Sequence, residues 1–214
     1  MRTLVDTVPG AHAPLQLVLL SGTYSVPEDF VREGFVSAVR ERGIRADIVM
    51  AEVRMAYFAE GSVVERIRES VMEPARGRGA QRIWVAGISL GALSALAYAA
   101  RHPGEIEGML LLSPYPGTRI VQREIDAAGG LARWRPEAGP ASDPEREAWD
   151  WIARRPDDAP PVHCYFGSAD RFADGQRKMA QALDPGRTRE VPGGHEWKDW
   201  RWMWNDFLDR DVLR

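Results

Sequence analysis

Apolar residues fall into two alternating kinds of segment along the chain. Short, nearly unbroken aliphatic runs read as strands buried on both faces of a parallel sheet: LQLVLLSG (15–22), IRADIVMAEV (44–53), RIWVAG (82–87) and EGMLLLS (107–113). Between them lie helical patterns. In SVPEDFVREGFVSAVRERG, Val31, Phe35 and Val39 recur every four residues, Ser25 and Glu28 have capping-box spacing, Pro27 lies in the first turn, and Gly43 stops the pattern. SVVERIRESVMEPARGRG repeats the device with Ser62 and Glu65, and Pro74 predicts a kink. SLGALSALAYAAR (89–101) is rich in Ala and Leu, so most of its faces should be buried. Four such alternations predict a three-layer α/β fold: a mostly parallel sheet with helices on both faces.

After LLLSPYPG the rhythm breaks at about 117–160, which is long for a simple connection. This insert is expected to hold two short helices, REIDAAGGLARW and DPEREAWDWIARR, joined by RPEAGPASDP. The alternation then resumes with PVHCYFG, the helix pattern FADGQRKMAQAL, the short strand TREV and a terminal helix in HEWKDWRWMWNDFLDR. No internal repeat interrupts it.

Composition narrows the possibilities. With 214 residues and 44% hydrophobic content, the chain reads as one domain, 1–214, with a lid-like insert. A net charge of −3 lacks the basic excess of a nucleic-acid binder and leaves a small molecule as the expected partner. The single cysteine, Cys164, excludes an internal disulfide framework and any CxxC motif. No run of about 18 apolar residues and no leader-like N-terminus is present, so the expectation is a cytoplasmic protein without a membrane partner. Nothing in the pattern sets an oligomeric state.

The candidate chemistry begins at Gly87-Ile88-Ser89-Leu90-Gly91. A G-x-S-x-G pentapeptide is short enough to arise by chance, so its surroundings decide. Here a strand precedes Ser89 and a helix follows, the sharp turn on which a nucleophilic serine is exposed near a helix N-terminus. A serine hydroxyl also needs an imidazole base, and the imidazole needs a carboxylate to hold its tautomer. Of the four histidines, His12 lies in the N-terminal segment, His102 at a helix end before Pro103, and His163 within a strand. His195, in VPGGHEW, follows a strand and a glycine pair on a loop that can reach over the sheet's C-terminal edge; the competing reading is a surface-loop histidine. Asp170, in YFGSADRFADG, follows a buried strand through a Gly-containing turn, its competing reading being a helix N-cap. Asp174 is the local rival but falls inside or at the start of the next helix. Ser89, Asp170 and His195 thus stand in the chain order Ser, Asp, His, each just beyond a predicted strand.

In GISLG, GSADRF and GGHEW, and over nearly its whole length, the chain resembles the α/β-hydrolase superfamily. The resemblance implies a serine hydrolase of carboxylic esters or thioesters that needs neither cofactor nor metal. It implies an oxyanion hole from the backbone N–H of Leu90 and of a residue in SGTYS, by alignment Thr23, with Tyr24 next. The chain departs from the family in having Ser21-Gly22 where many members have His-Gly, and in lacking an HGGG run. With about 14 residues before the first predicted strand, the early antiparallel strands of larger members are expected to be absent, leaving about six strands. Tyr24, Tyr115, Trp134 and Trp197 are the candidate pocket residues, and Trp134, Trp149, Trp151 and Ile152 a candidate apolar wall above Ser89; the competing reading of these aromatics is ordinary helix packing. Arg119 could meet an anionic substrate, but a solvated side chain is the preferred reading. Acyl transfer by the same triad, and ligand binding on a hydrolase scaffold, are the alternative functions.

Overall fold

Alternation of side chains along each aliphatic run sorts the core into two layers, one on each face of a single sheet. The computed structural model describes residues 1–10, 12–136 and 143–213. Its strands are β1 (Thr3–Asp6), β2 (Leu15–Leu20), β3 (Ala46–Ala51), β4 (Arg82–Ile88), β5 (Gly108–Leu112), β6 (Val162–Gly167) and β7 (Thr188–Val191), in the spatial order β1-β3-β2-β4-β5-β6-β7. All neighbours run parallel except β1, which pairs antiparallel with β3. On β2, Leu15, Leu17 and Leu19 face one layer while Val18 and Leu20 face the other. This period of two, with every residue of β2, β3, β5 and β6 buried, is why these strands read as continuous apolar runs.

One layer contains helices Pro27–Arg32, Phe35–Glu41 and Trp197–Leu208, whose Phe30, Phe35, Trp204 and Phe207 pack on the β2, β3 and β4 side chains. The other contains the helical stretch at 63–77, helix Leu90–Arg101, helices Arg119–Ala127 and Pro144–Ala153, and helix Ala173–Gln181. Among the described residues no helix is long and apolar enough to cross a membrane.

The sheet has seven strands, not about six. The strand missing from the expectation is the antiparallel β1, four residues long and only partly buried, which precedes the strand–helix alternation with no described helix between it and β2. The expected first helix is two helices, because Gly34 adopts the left-handed region (φ 81°) and breaks the pattern there. Its start is capped one residue later than expected: the Val26 N–H donates to the Asp29 carboxylate at 2.9 Å, and Ser25 takes no part. Ser62 precedes helix Val63–Ile67, but its hydroxyl accepts from Arg66 Nε at 3.0 Å while Glu65 reaches Arg101 at 2.7 Å, so no capping pair forms. Before Pro74 the chain widens into a π-helical turn over Arg68–Met72, which accommodates the missing proline N–H. A short helix at Met55–Ala59 is an addition to the expected elements.

The two insert helices form, while residues 137–142 of their predicted linker lie outside the described residues. Helix Pro144–Ala153 packs against helix Leu90–Arg101, with Trp149 fully buried and its Nε1–H donating to the Pro116 carbonyl at 3.0 Å. Trp134, Trp149 and Ile152 belong to the core on this face rather than to a wall over Ser89.

Candidate active site

The turn after β4 is set by two glycines. A Cβ on Gly91 would fall far inside contact distance of the Leu20 carbonyl, and one on Gly87 would lie 2.5 Å from the Gly91 carbonyl and Ala92 nitrogen. Only glycine lets the helix start this close to β2 and β4. Between them Ser89 sits at φ 51°, ψ −112°, a costly conformation for a residue with a side chain. Neighbours hold it there: Ser89 N–H donates to Leu112 O at 3.0 Å, and Ser89 O accepts from Ala92 N at 3.1 Å and Tyr115 N at 3.0 Å. The hydroxyl therefore stands at the C-terminal edge of the sheet, at the positive end of helix Leu90–Arg101.

β6 ends at Gly167, where a Cβ would collide with the backbone of Gly193 and Gly194. That close approach brings the loops after β6 and β7 together. Ala169 N–H donates to Gly193 O at 2.8 Å, and Gly194 N–H to the Asp199 carboxylate at 2.8 Å. Asp170 and His195 project from these two loops. Asp170, 6% exposed, accepts the His195 Nδ1 proton at 2.7 Å. This fixes the imidazole tautomer and turns Nε2, 3.0 Å from Ser89 Oγ, toward the hydroxyl as an acceptor. The structure thus brings Ser89, His195 and Asp170 into one hydrogen-bonded chain.

Asp170 is further bonded by the Phe172 N–H at 2.8 Å and the Gln176 side-chain amide at 3.0 Å. Burial by itself would raise its pKa, but the bonds from His195, Phe172 and Gln176 outweigh it and hold the carboxyl below its ordinary value. Gln176, fully buried on helix Ala173–Gln181, also donates to Pro114 O at 3.2 Å, tying the acid loop to the segment after β5. Its only trace in the sequence is a polar residue on the inward face of an otherwise amphipathic helix.

The cavity over Ser89 has a volume of about 340 Å³ and is lined by Gly22, Thr23, Tyr24, Met55, Tyr115, Arg171, Phe172 and Trp200 as well as Ser89 and His195. Leu90 opens its helix, so its N–H is among those with no partner inside the helix. Thr23 lies in a turn closed by Ser25 N–H to Gly22 O at 3.2 Å, with Tyr24 at φ 68° and fully exposed.

Two expected pocket residues lie elsewhere. Trp134 is buried in the core, and Trp197, half-buried, packs edge-on against Phe30, Phe35 and Trp200. Trp200, one helical turn after Trp197, meets the His195 ring edge-on at 5.1 Å, and Phe172 meets it at 5.3 Å. The imidazole is thereby clamped between two rings. Of the other histidines, His12 pairs with Asp47 at 2.8 Å, His102 ends helix Leu90–Arg101 against Tyr98, and His163 is buried in β6. Asp174 is exposed and pairs with Arg177. Among the described residues, no three His, Cys, Asp or Glu side chains converge so as to hold a metal ion. Cys164 is fully buried in β6, and burial pushes its thiol up to about 12.

Residues 63–206 match the profile of a family described as Esterase. Comparison with curated proteins finds no match. Among solved structures the chain is similar to FphF, a fluorophosphonate-binding serine hydrolase of Staphylococcus aureus (15% identity, TM-score 0.68, 100% of this chain and 98% of that one). It is similar to the S-formylglutathione hydrolase FrmB of the same organism (13%, 0.67, 93% and 81%) and to Est1E of Butyrivibrio proteoclasticus (15%, 0.67, 99% and 94%). At these identities the likeness is one of fold, and that fold is the α/β hydrolase.

Proposed function

The chain belongs to the Esterase family, and on that premise we propose that it hydrolyses carboxylic esters or thioesters through an acyl-enzyme on Ser89. The observation that carries the reading is the continuous run of bonds from Asp170 to His195 at 2.7 Å and from His195 toward Ser89 Oγ at 3.0 Å. His195 Nε2 takes the Ser89 proton as the oxygen attacks the acyl carbonyl, and Asp170, kept ionised, holds the imidazolium that forms. The Leu90 and Thr23 N–H groups receive the negative charge of the tetrahedral intermediate. His195 then returns the proton to the leaving alkoxide or thiolate, and water, activated by the same imidazole, releases the acid.

Hydrolysis is the reading preferred over acyl transfer because no described residue of the insert at about 117–160 lines the cavity over Ser89 itself. Ser89→Ala should lower kcat on a short-chain 4-nitrophenyl ester at least about a thousandfold while the circular dichroism spectrum is kept. A fluorophosphonate probe should label the wild type at Ser89. Failure to label the folded wild type, or undiminished turnover by Ser89→Ala, contradicts the reading.

A further inference from the structure

Beyond Phe172 the catalytic cavity has a neighbour. A second hollow of about 430 Å³ adjoins it, with Tyr115, Arg171 and Phe172 lining both, and its remaining wall includes Arg119, Asp174 and Lys178. The last two are engaged: Lys178 bonds Asp126 at 2.6 Å, and Asp174 bonds Arg177 at 2.8 Å. The buried carboxylate nearby, Glu145, accepts through Oε1 from the Thr118 N–H at 2.6 Å and hydroxyl at 3.1 Å. Arg119 and Arg171 meet no carboxylate among the described residues, although most arginines of this chain do. Arg171 is also held in place, its guanidinium 4.8 Å from the centre of the Phe172 ring, which itself stands 5.3 Å from the His195 ring.

Two exposed guanidiniums that meet no carboxylate among the described residues therefore border a hollow that shares Tyr115, Arg171 and Phe172 with the cavity over the nucleophile. A purely apolar ester gains nothing from them, whereas a carboxylate or phosphate forms charge-assisted and bidentate bonds with them. We propose that the substrate carries such an anionic group, received by Arg119 and Arg171 beside the reacting carbonyl; the inference rests on the hydrolase reading above.

The test compares 4-nitrophenyl glutarate, which ends in a carboxylate, with its neutral methyl ester. At low ionic strength the wild type should prefer the anionic ester about tenfold in kcat/KM, mainly through KM, and salt at about 0.5 M should erode the preference. The double variant Arg119→Gln/Arg171→Gln should bring the ratio of the two close to one. Arg45→Gln, which removes a positive charge just before β3 at the opposite end of the sheet, should keep it, and Arg119→Gln and Arg171→Gln singly, each the same charge change, should each lower it. Competition by glutarate or by inorganic phosphate identifies which anion the pair accepts. A neutral-ester preference, a ratio that survives the double substitution, or competition by neither anion overturns the proposal. Fluorophosphonate labelling separates the two levels: a labelled enzyme without anionic preference removes the anion pair alone, and an unlabelled one removes the hydrolase reading with it.

Discussion

The turn that carries Ser89 and the rim that surrounds it are built on opposite terms. At the turn every degree of freedom is taken: Gly87 and Gly91 admit no side chain, the Ser89 backbone is bonded on both sides, and the His195 ring is wedged between Phe172 and Trp200. At the rim, Tyr24 is fully exposed, and Arg119 and Arg171 are exposed as well. The reacting atoms are thus positioned by close packing that tolerates almost no change, whereas what surrounds the substrate is free to vary with little effect on the fold.

The sharpest way to break that contrast is Gly91→Ala. Its Cβ would press on backbone, which cannot swing aside, so a loss of about 3 kcal/mol or more is expected in urea unfolding, with activity falling as the helix start moves. A loss under about 1 kcal/mol would show that the turn is looser than its geometry implies.

Next in size is an effect of acid. Burial among Trp84, Tyr165 and Phe207 lowers the His163 pKa from 6.5 to about 4. Between those values the unfolded chain binds a proton that the folded chain does not, so stability falls as pH drops from 6.5 toward 4 and this contribution levels off below. Going from pH 7 to pH 5 should remove about 2 kcal/mol, and His163→Leu should abolish most of that dependence. Asp170 has the depressed carboxylate pattern: its contribution is fully present above 3.8 and is lost at still lower pH, as its folded pKa is crossed.

Gln176→Met keeps the volume but removes the amide that bonds Asp170. A fall of about tenfold in kcat with KM little changed is expected, together with a smaller fall for Gln176→Glu at acid pH, where the carboxyl can again donate. An equal change in KM and kcat would point to general loosening instead. Smallest of all, Tyr24→Ala should alter stability by less than about 0.5 kcal/mol, measurable as an unchanged urea midpoint, while shifting KM.

Legibility in the sequence follows the same division. The alternation of buried strands and helices was readable because both faces of the sheet are covered. The positions of Ser89, Asp170 and His195 were readable because each follows such a strand. β1 was not, because it lies before the strand–helix alternation and pairs antiparallel, whereas the equally short β7 was readable from its place within that alternation. Nor was the break at Gly34, where a left-handed residue divides a pattern whose apolar spacing continues unchanged. The aromatics were harder still. Trp197 and Trp200 are equally plausible beside His195 in one dimension, but the helix begins at Trp197, and one turn later the chain direction carries Trp200 onto the imidazole. Gln176 and Asp199 escaped because each is a single polar residue bonded to the loop just before its own helix, Gln176 to the Asp170 carboxylate and Asp199 to the Gly194 N–H, with no recurring spacing to announce it.

The bond between Ser89 and His195 spans 106 residues, and it closes only when β7, the last strand, has docked beside β6. Reactivity at Ser89 therefore reports on the docking of the C-terminal strand: in a refolding experiment, probe labelling should appear no earlier than that strand finds its place beside β6.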